Sequence, residues 1–225
     1  MEIMVDDVKD TVILKCEVQK TYSEIKKRSN VWELLLSVAT TYSYKEDKYR
    51  FWTYQTKDQL IKYLNEKHIV CFNGVKFDIP LLLGEYCCDP TFIIKSDRNK
   101  FFSVATDLFM KTMMLIYREN VYSDKLFEKM SKHPLTNFGS YSLNSFIQCT
   151  LGVKDTTSNS ICVELFKKSK TLDLIQQNLC KLRYIKNLYE FLVRFKYLIN
   201  GDYDVIKYND VISPKNVTID SFLPF

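Results

Sequence analysis

The chain has 225 residues, 46% of them hydrophobic and 14% aromatic, and a formal net charge of +5. That length and apolar content supply one domain with a full core and exclude a disordered chain. No run reaches the ~18 apolar residues that span a bilayer, so no membrane partner is expected. The seven cysteines, odd in number and without a C-x-x-C pair, exclude a disulfide framework and a zinc cluster. Cys87 and Cys88, adjacent, read as turn or packing residues. The N-terminus, "MEIMVDDVKD", is acidic and lacks a signal-peptide core. These features point to a reducing intracellular compartment, cytoplasmic or nuclear. The mild positive charge permits a nucleic-acid partner without requiring one.

Residues 11–18, "TVILKCEV", read as a strand. "VWELLLSVATTYSY" (31–44) is almost continuously apolar, the pattern of a strand covered on both faces. "KYRFWTY" (48–54) is an aromatic-rich third strand, joined to the second by a charged hairpin loop. "TKDQLIKYLNEK" places Leu60, Ile61 and Leu64 at helical spacing behind a Thr56 or Asp58 cap. "HIVCF" (68–72) is a buried strand that runs straight into "NGVKFD". Three strands, a helix and a fourth strand give an α/β core whose last crossover is parallel.

The second half reads as mostly helical. "IPLLLGEYC" opens behind Pro80, a residue suited to a first turn. Further helices are expected over "TDLFMKTMMLIYREN", "SYSLNSFIQCTLG" and "SICVELFKKSK". The longest is "TLDLIQQNLCKLRYIKNLYEFLVRF", with a stripe of Leu172, Ile175, Leu179, Leu182, Ile185, Tyr189 and Leu192. The tail, "YLINGDYDVIKYNDVISP", carries an Asn-Gly-Asp step between apolar flanks and reads as a hairpin. There is no repeat, low-complexity segment or linker.

"NGVKFDIPLL" resembles motif II of the DEDD (DnaQ-like) 3′–5′ exonucleases, a ribonuclease-H-like group that includes DNA polymerase proofreading domains. The motif Asn-x-x-x-Phe-Asp-x-Pro is met by Asn73, Phe77, Asp78 and Pro80. "TDLF", "SYSLNSFIQCTLGVKD" and "KTLDLIQQNLCKLRYIKNLYEFL" follow in the order of B-family proofreading domains and small stand-alone bacterial relatives. The similarity covers roughly residues 11 to 200. It implies a mixed sheet of three antiparallel and then parallel strands flanked by helices. Residues 1–200 would form that domain, with 201–225 as a hairpin and tail packed on it.

The family's chemistry uses four carboxylates that hold two divalent cations, Mg²⁺ or Mn²⁺, one activating water and one stabilising the leaving oxygen. The resemblance puts Lys15 and Glu17 at the first-strand Asp-x-Glu and Asp78 at motif II. It puts Gln177 at the last-helix Tyr and Lys181 at the last-helix Asp. Two ligands are thus replaced by lysine, and His68 and His133 fall elsewhere. The vestigial site would hold Glu17 and Asp78 against Lys15 and Lys181. An entering cation would be repelled by several kcal/mol per ammonium at ~4 Å and an effective dielectric of ~20. No cofactor and no hydrolysis by the family mechanism are therefore expected. The four side chains should converge within ~4 Å of their neighbours.

Plainer readings stand beside these. Asp78 caps the helix that Pro80 opens, Glu17 ends a strand, and Lys181 faces solvent. Against the last, Leu174, Ile185 and Leu188 are apolar helical neighbours of Lys181. Lys26, Lys27 and Arg28 in the first loop, and Lys167, Lys168 and Lys170 before the last helix, are either solvated surface or phosphate contacts. Six of the 32 basic residues are arginine, little support for base-specific readout. The expected role is binding, to single-stranded nucleic acid or to a protein of replication, repair or transcription. The alternatives are a pure protein-interaction module and an active nuclease. The active form would keep Glu17 and Asp78 on Mg²⁺ or Mn²⁺ and recruit Asp6, Asp7, Asp10 or Asp173.

Overall fold

The order of strands follows from which segments can be covered on both faces. A computed structural model describes residues 10–65, 67–84, 105–118, 128–130, 139–154 and 159–208. Strands β1 (Thr11–Val18), β2 (Leu36–Ser43), β3 (Lys48–Thr53), β4 (His68–Cys71) and β5 (Ala105–Asp107) form one sheet in the order β3-β2-β1-β4-β5. The pairs β1–β2 and β2–β3 are antiparallel, and β1–β4 and β4–β5 are parallel. The molecule is therefore an α/β protein with a mixed sheet, compatible with a ribonuclease-H-like fold. Helix α1 (Lys57–Leu64) makes the crossover into β4, and α2 (Asp78–Leu83) follows β4.

Alternation along β1 sorts the two cores. Val12, Leu14, Cys16 and Val18 face one side and pack with Leu60 and Leu64 of α1 and Leu81 and Leu82 of α2. Ile13 faces the other, with Tyr42 and Val70 beside it. There it meets α4 (Leu143–Leu151) and the 25-residue α6 (Thr171–Phe195), through Phe146, Ile147, Leu182, Ile185, Leu188 and Tyr189. Helix α3 (Leu108–Tyr117) adds Leu108 to that core. Helix α5 (Asn159–Lys167) packs against β1 and α6. Among the described residues no helix is long and apolar enough to cross a membrane.

Several expected elements shift. The 31–44 run is not one strand: Val31–Leu34 is a 3-10 turn, and Leu35 has a φ of 57° before β2 begins. A continuous apolar run cannot distinguish the two, because the turn buries Val31 and Leu34 in the same core as α2. Strand β5 escaped the sequence reading, since three residues carry no period-2 pattern. The expected stripe along α6 is buried at Leu182, Ile185, Tyr189 and Leu192 but not at its N-terminal end. Leu172 is 82% exposed, whereas Leu174, Asn178 and Lys181 are buried. Leu174, Asn178 and Lys181, at i, i+4 and i+7, form a second buried row that brings Lys181 to the site. The hairpin forms, with β6 (Tyr197–Ile199) paired to β7 (Val205–Lys207). The Asn200 side-chain oxygen accepts from the Asp202 and Asp204 N–H groups to shape its turn. The rest of the expected hairpin, from 209 on, lies outside the described residues, as do Cys87, Cys88 and His133.

Phe146 ties α4 to the sheet and is 0% exposed, its ring 5.9 Å from that of Phe72. Phe146→Ala is expected to lower unfolding free energy by about 3–5 kcal/mol, read from urea denaturation midpoints.

Candidate functional site

Four ionisable side chains meet where β1 ends. Lys15 and Glu17 share the face of β1 that carries Ile13, so they point toward α6. The register slips between Glu17 and Val18, a bulge that ends regular pairing there. Lys181 projects from α6, and its ammonium lies 2.9 Å from Glu17 Oε1, with both side chains 4% exposed. Its Nζ also lies 3.5 Å from the Cys162 sulfur on α5. Burial pushes that thiol up to about 11, so it remains a neutral neighbour.

Asp78 supplies the second pair. It is not a helix cap: the N-cap position of α2 is Phe77, and no side chain caps it. The Asp78 carboxylate instead reaches β1. Its Oδ1 accepts the Cys16 N–H at 2.6 Å and faces the Lys15 ammonium at 3.4 Å. Burial raises the Asp78 carboxyl above its usual range, opposed by Lys15 and the Cys16 N–H. For Lys15, burial alone would lower the ammonium. The Asp78 carboxylate, and then Glu17, outweigh it and hold the ammonium above its usual value. The Lys15 ammonium also sits 5.3 Å from the centre of the Phe77 ring.

The loop from β4 to α2 aims Asp78. Asn73 takes a φ of 57°, which asparagine tolerates better than a branched residue. Gly74 is required by close approach: a Cβ there would sit 2.5 Å from Cys71 Sγ. Asp107, at the end of β5, holds this loop. Its Oδ1 accepts the N–H of Asn73 at 2.8 Å, and its Oδ2 that of Val75 at 2.9 Å. The same carboxylate caps α3 through Phe109 and Met110. Asp107 was not singled out from the sequence as a site residue. The available signal was "TDLF", an Asp directly before an apolar helical run.

The paired charges line a cleft of about 950 Å³. Lys15, Glu17, Asn73, Phe77, Asp78 and Lys181 all border it, so the expected cluster converges. Five aromatic rings also line it, from Tyr22, Phe72, Phe77, Phe109 and Tyr141. Lys20 borders it as well, a residue the sequence reading passed over. Pro80 is buried within α2. Gln177 does not border the cleft, and its buried Oε1 has no hydrogen-bond partner.

The basic patches are less central than expected. Lys26, Lys27 and Arg28 are exposed and do not border the cleft, though Arg28 stacks 5.9 Å from the ring of the cleft residue Tyr22. Lys167 pairs with Glu24 at 2.9 Å and Lys168 with Glu164 at 3.5 Å, while Lys170 is exposed at the start of α6. Of the substitute ligands, Asp10 and Asp173 do not join the cluster. Asp10 bonds Ser43 and Lys67 at the opposite end of β1, ~16 Å of strand from Lys15. Asp173 is exposed in the first turn of α6. Asp6 and Asp7 lie outside the described residues. Among the described residues no group of three or more His, Cys, Asp or Glu side chains is arranged to hold a metal ion.

No protein-family model matches the chain, and no curated protein is similar to it in sequence. The geometry of the cleft therefore carries the functional reading.

Lys181→Met leaves Glu17 as an unpaired buried carboxylate. It is expected to destabilise the protein by about 3–5 kcal/mol at pH 7. Adding Glu17→Gln removes the stranded charge and should restore most of that loss. Denaturant titration of both variants checks the pair, and equal loss in the two would place Lys181 outside an ion pair.

Proposed function

We propose that this chain is a catalytically degenerate relative of the DEDD 3′–5′ exonucleases whose cleft binds single-stranded nucleic acid without a metal. The observation that carries this reading is that both buried carboxylates of the cluster already face a lysine ammonium, at 2.9 and 3.4 Å. The residues present do not fit a pair of divalent ions. The paired-ion chemistry of that family uses four carboxylates, and an ammonium held against each remaining carboxylate repels an incoming cation. Here Glu17 and Asp78 are its only carboxylate ligands among the cleft-lining residues, and Lys15 and Lys181 neutralise both.

The rest of the cleft supports a strand as ligand. Aromatic faces stack on any base, and each stacked base contributes ~1–3 kcal/mol. The cleft side chains carry three lysines against two carboxylates, a net charge of one positive. Lys20 and the exposed Lys26, Lys27 and Arg28 extend that charge along the first loop, where a phosphate backbone would lie. An accessory role in replication, repair or transcription accompanies the family resemblance. Protein contact is a second reading, favoured by exposed Ile161, Phe166 and Leu172 at the α5–α6 corner.

Fluorescence anisotropy with labelled single-stranded DNA and RNA tests the first reading. Binding is expected to weaken with salt, at a log–log slope of about −0.7 per phosphate contacted. It should be unchanged by EDTA or Mg²⁺. Binding that requires Mg²⁺ or Mn²⁺, with digestion of a 3′-labelled strand, would overturn it.

The charge assignment has its own check. Lys15→Asp with Lys181→Asp restores four carboxylates, and Mg²⁺ is expected to raise the melting temperature of that double variant but not of the parent. A double variant indifferent to Mg²⁺ would show that these positions do not form an ion site.

A further inference from the structure

We infer that Asp107 is the positioning residue of the cleft, tethering the β4–α2 loop to the start of α3 and so setting where Phe77, Asp78 and the Lys15 pair stand. The inference rests on the strand-binding reading for its binding arm and on geometry alone for the rest.

One carboxylate here accepts four main-chain N–H groups from two separate segments. Phe109 and Met110 belong to α3, at 3.0 and 3.2 Å. Asn73 and Val75 belong to the loop, at 2.8 and 2.9 Å. Asp107 is 0% exposed, so water does not compete for these bonds. The other main-chain bonds of the loop are local to it: the Gly74 carbonyl accepts the Phe77 and Ile79 N–H groups at 3.2 and 2.9 Å. Asn73 stands at positive φ, and its side-chain oxygen is buried without a partner. Gly74 carries no side chain, and Val75 packs with Met110 and Met113 of α3. Two and three residues beyond Val75 come Phe77 and Asp78, whose ring and carboxylate flank the Lys15 ammonium. The tether therefore acts on the cleft through the main chain. Asp107 itself does not line it.

The two halves of this role separate by substitution. Asp107→Ser retains a short hydroxyl acceptor at a good N-cap residue, which keeps α3. It cannot span to the loop as the two carboxylate oxygens do. Asp107→Asn keeps an acceptor for the three bonds made by Oδ1 but places an N–H₂ against the Val75 N–H.

Acidity offers a test on the unaltered protein. Burial raises the Asp107 carboxyl to about 6, opposed by the three loop and helix N–H groups, and the Asp78 charge adds to the rise. The ionisable groups coupled to it are Asp78 on α2, Cys71 on β4 and Lys76 in the loop. Because the folded value lies above the usual one, the stability contributed by this group is present at low pH and lost as pH rises through about 6. Acidification from pH 7 to 5 therefore does not weaken the fold at Asp107. It does remove the negative charge that the Asn73 and Val75 N–H groups face.

The experiment combines amide hydrogen exchange with anisotropy on a single-stranded DNA oligonucleotide, for the parent, Asp107→Ser and Asp107→Asn, at pH 7 and 5. In Asp107→Ser, the Asn73 and Val75 amides should exchange at least about tenfold faster while α3 amides stay protected. Oligonucleotide affinity should fall by a similar factor. In the parent, the protection of the same loop amides, taken relative to the intrinsic exchange rate at each pH, and the affinity should both fall from pH 7 to 5, with a step absent from Asp107→Asn. Parental loop protection in Asp107→Ser overturns the inference. Faster loop exchange with unchanged affinity also overturns it, by showing that loop position does not set the cleft. If no oligonucleotide binds even the parent, the strand-binding reading fails, and exchange together with urea titration of the Lys15–Asp78 pair still decides the tether. In that case Lys15→Met should cost stability in the parent and little in Asp107→Ser, and equal costs would overturn the inference.

Discussion

Charge neutrality among buried ionisable side chains is the constraint on which the rest depends. Four ionisable side chains lie at the end of β1, and three of them, Glu17, Asp78 and Lys181, are almost fully buried. An isolated carboxylate in such a place carries a desolvation penalty of several kcal/mol. The protein answers with lysines from its own chain, Lys181 on α6 and Lys15 on β1. Each pair joins elements distant in sequence, so neither can form until the sheet and its helices have come together. The pairs thus report on correct assembly as much as they add stability.

This constraint shapes the packing around it. The buried face of α6 carries Asn178 and Lys181 beside Leu174, Leu182, Ile185 and Leu188, while Leu172 at the N-terminal end of the helix points outward. On the opposite wall, a positive-φ Asn73 and a glycine that admits no Cβ let the chain fold sharply enough for Asp78 to reach the Cys16 N–H. Asp107 holds that turn from beneath, through main-chain N–H groups.

Much of the fold was legible from pattern. The strands 11–18, 48–54 and 68–72, the helix before β4 and the long final helix all appear near their expected places. Hydrophobic periodicity is a local property and survives without knowledge of contacts. The convergence of Lys15, Glu17, Asp78 and Lys181 was legible only through the motif "NGVKFDIP", since no local rule brings residue 15 to residue 78 or residue 17 to residue 181. The cleft role of Lys20 and the neutralisation of Lys167 by Glu24 were not legible. Both depend on how a surface loop lies against a helix, and sequence pattern carries no signal for that.

Sequence by itself determined the alternation of faces along β1, the amphipathic helices that cover the sheet, and the presence of lysine at positions 15 and 181. Those follow from side-chain chemistry and from spacing along the chain. Tertiary structure alone decided that the lysines are turned inward onto carboxylates, that a 3-10 turn interrupts the second apolar run, and that one aspartate ties two segments together. Burial and long-range hydrogen bonding are properties of the assembled chain. A lysine's preference for water is overturned only when a buried carboxylate waits for it.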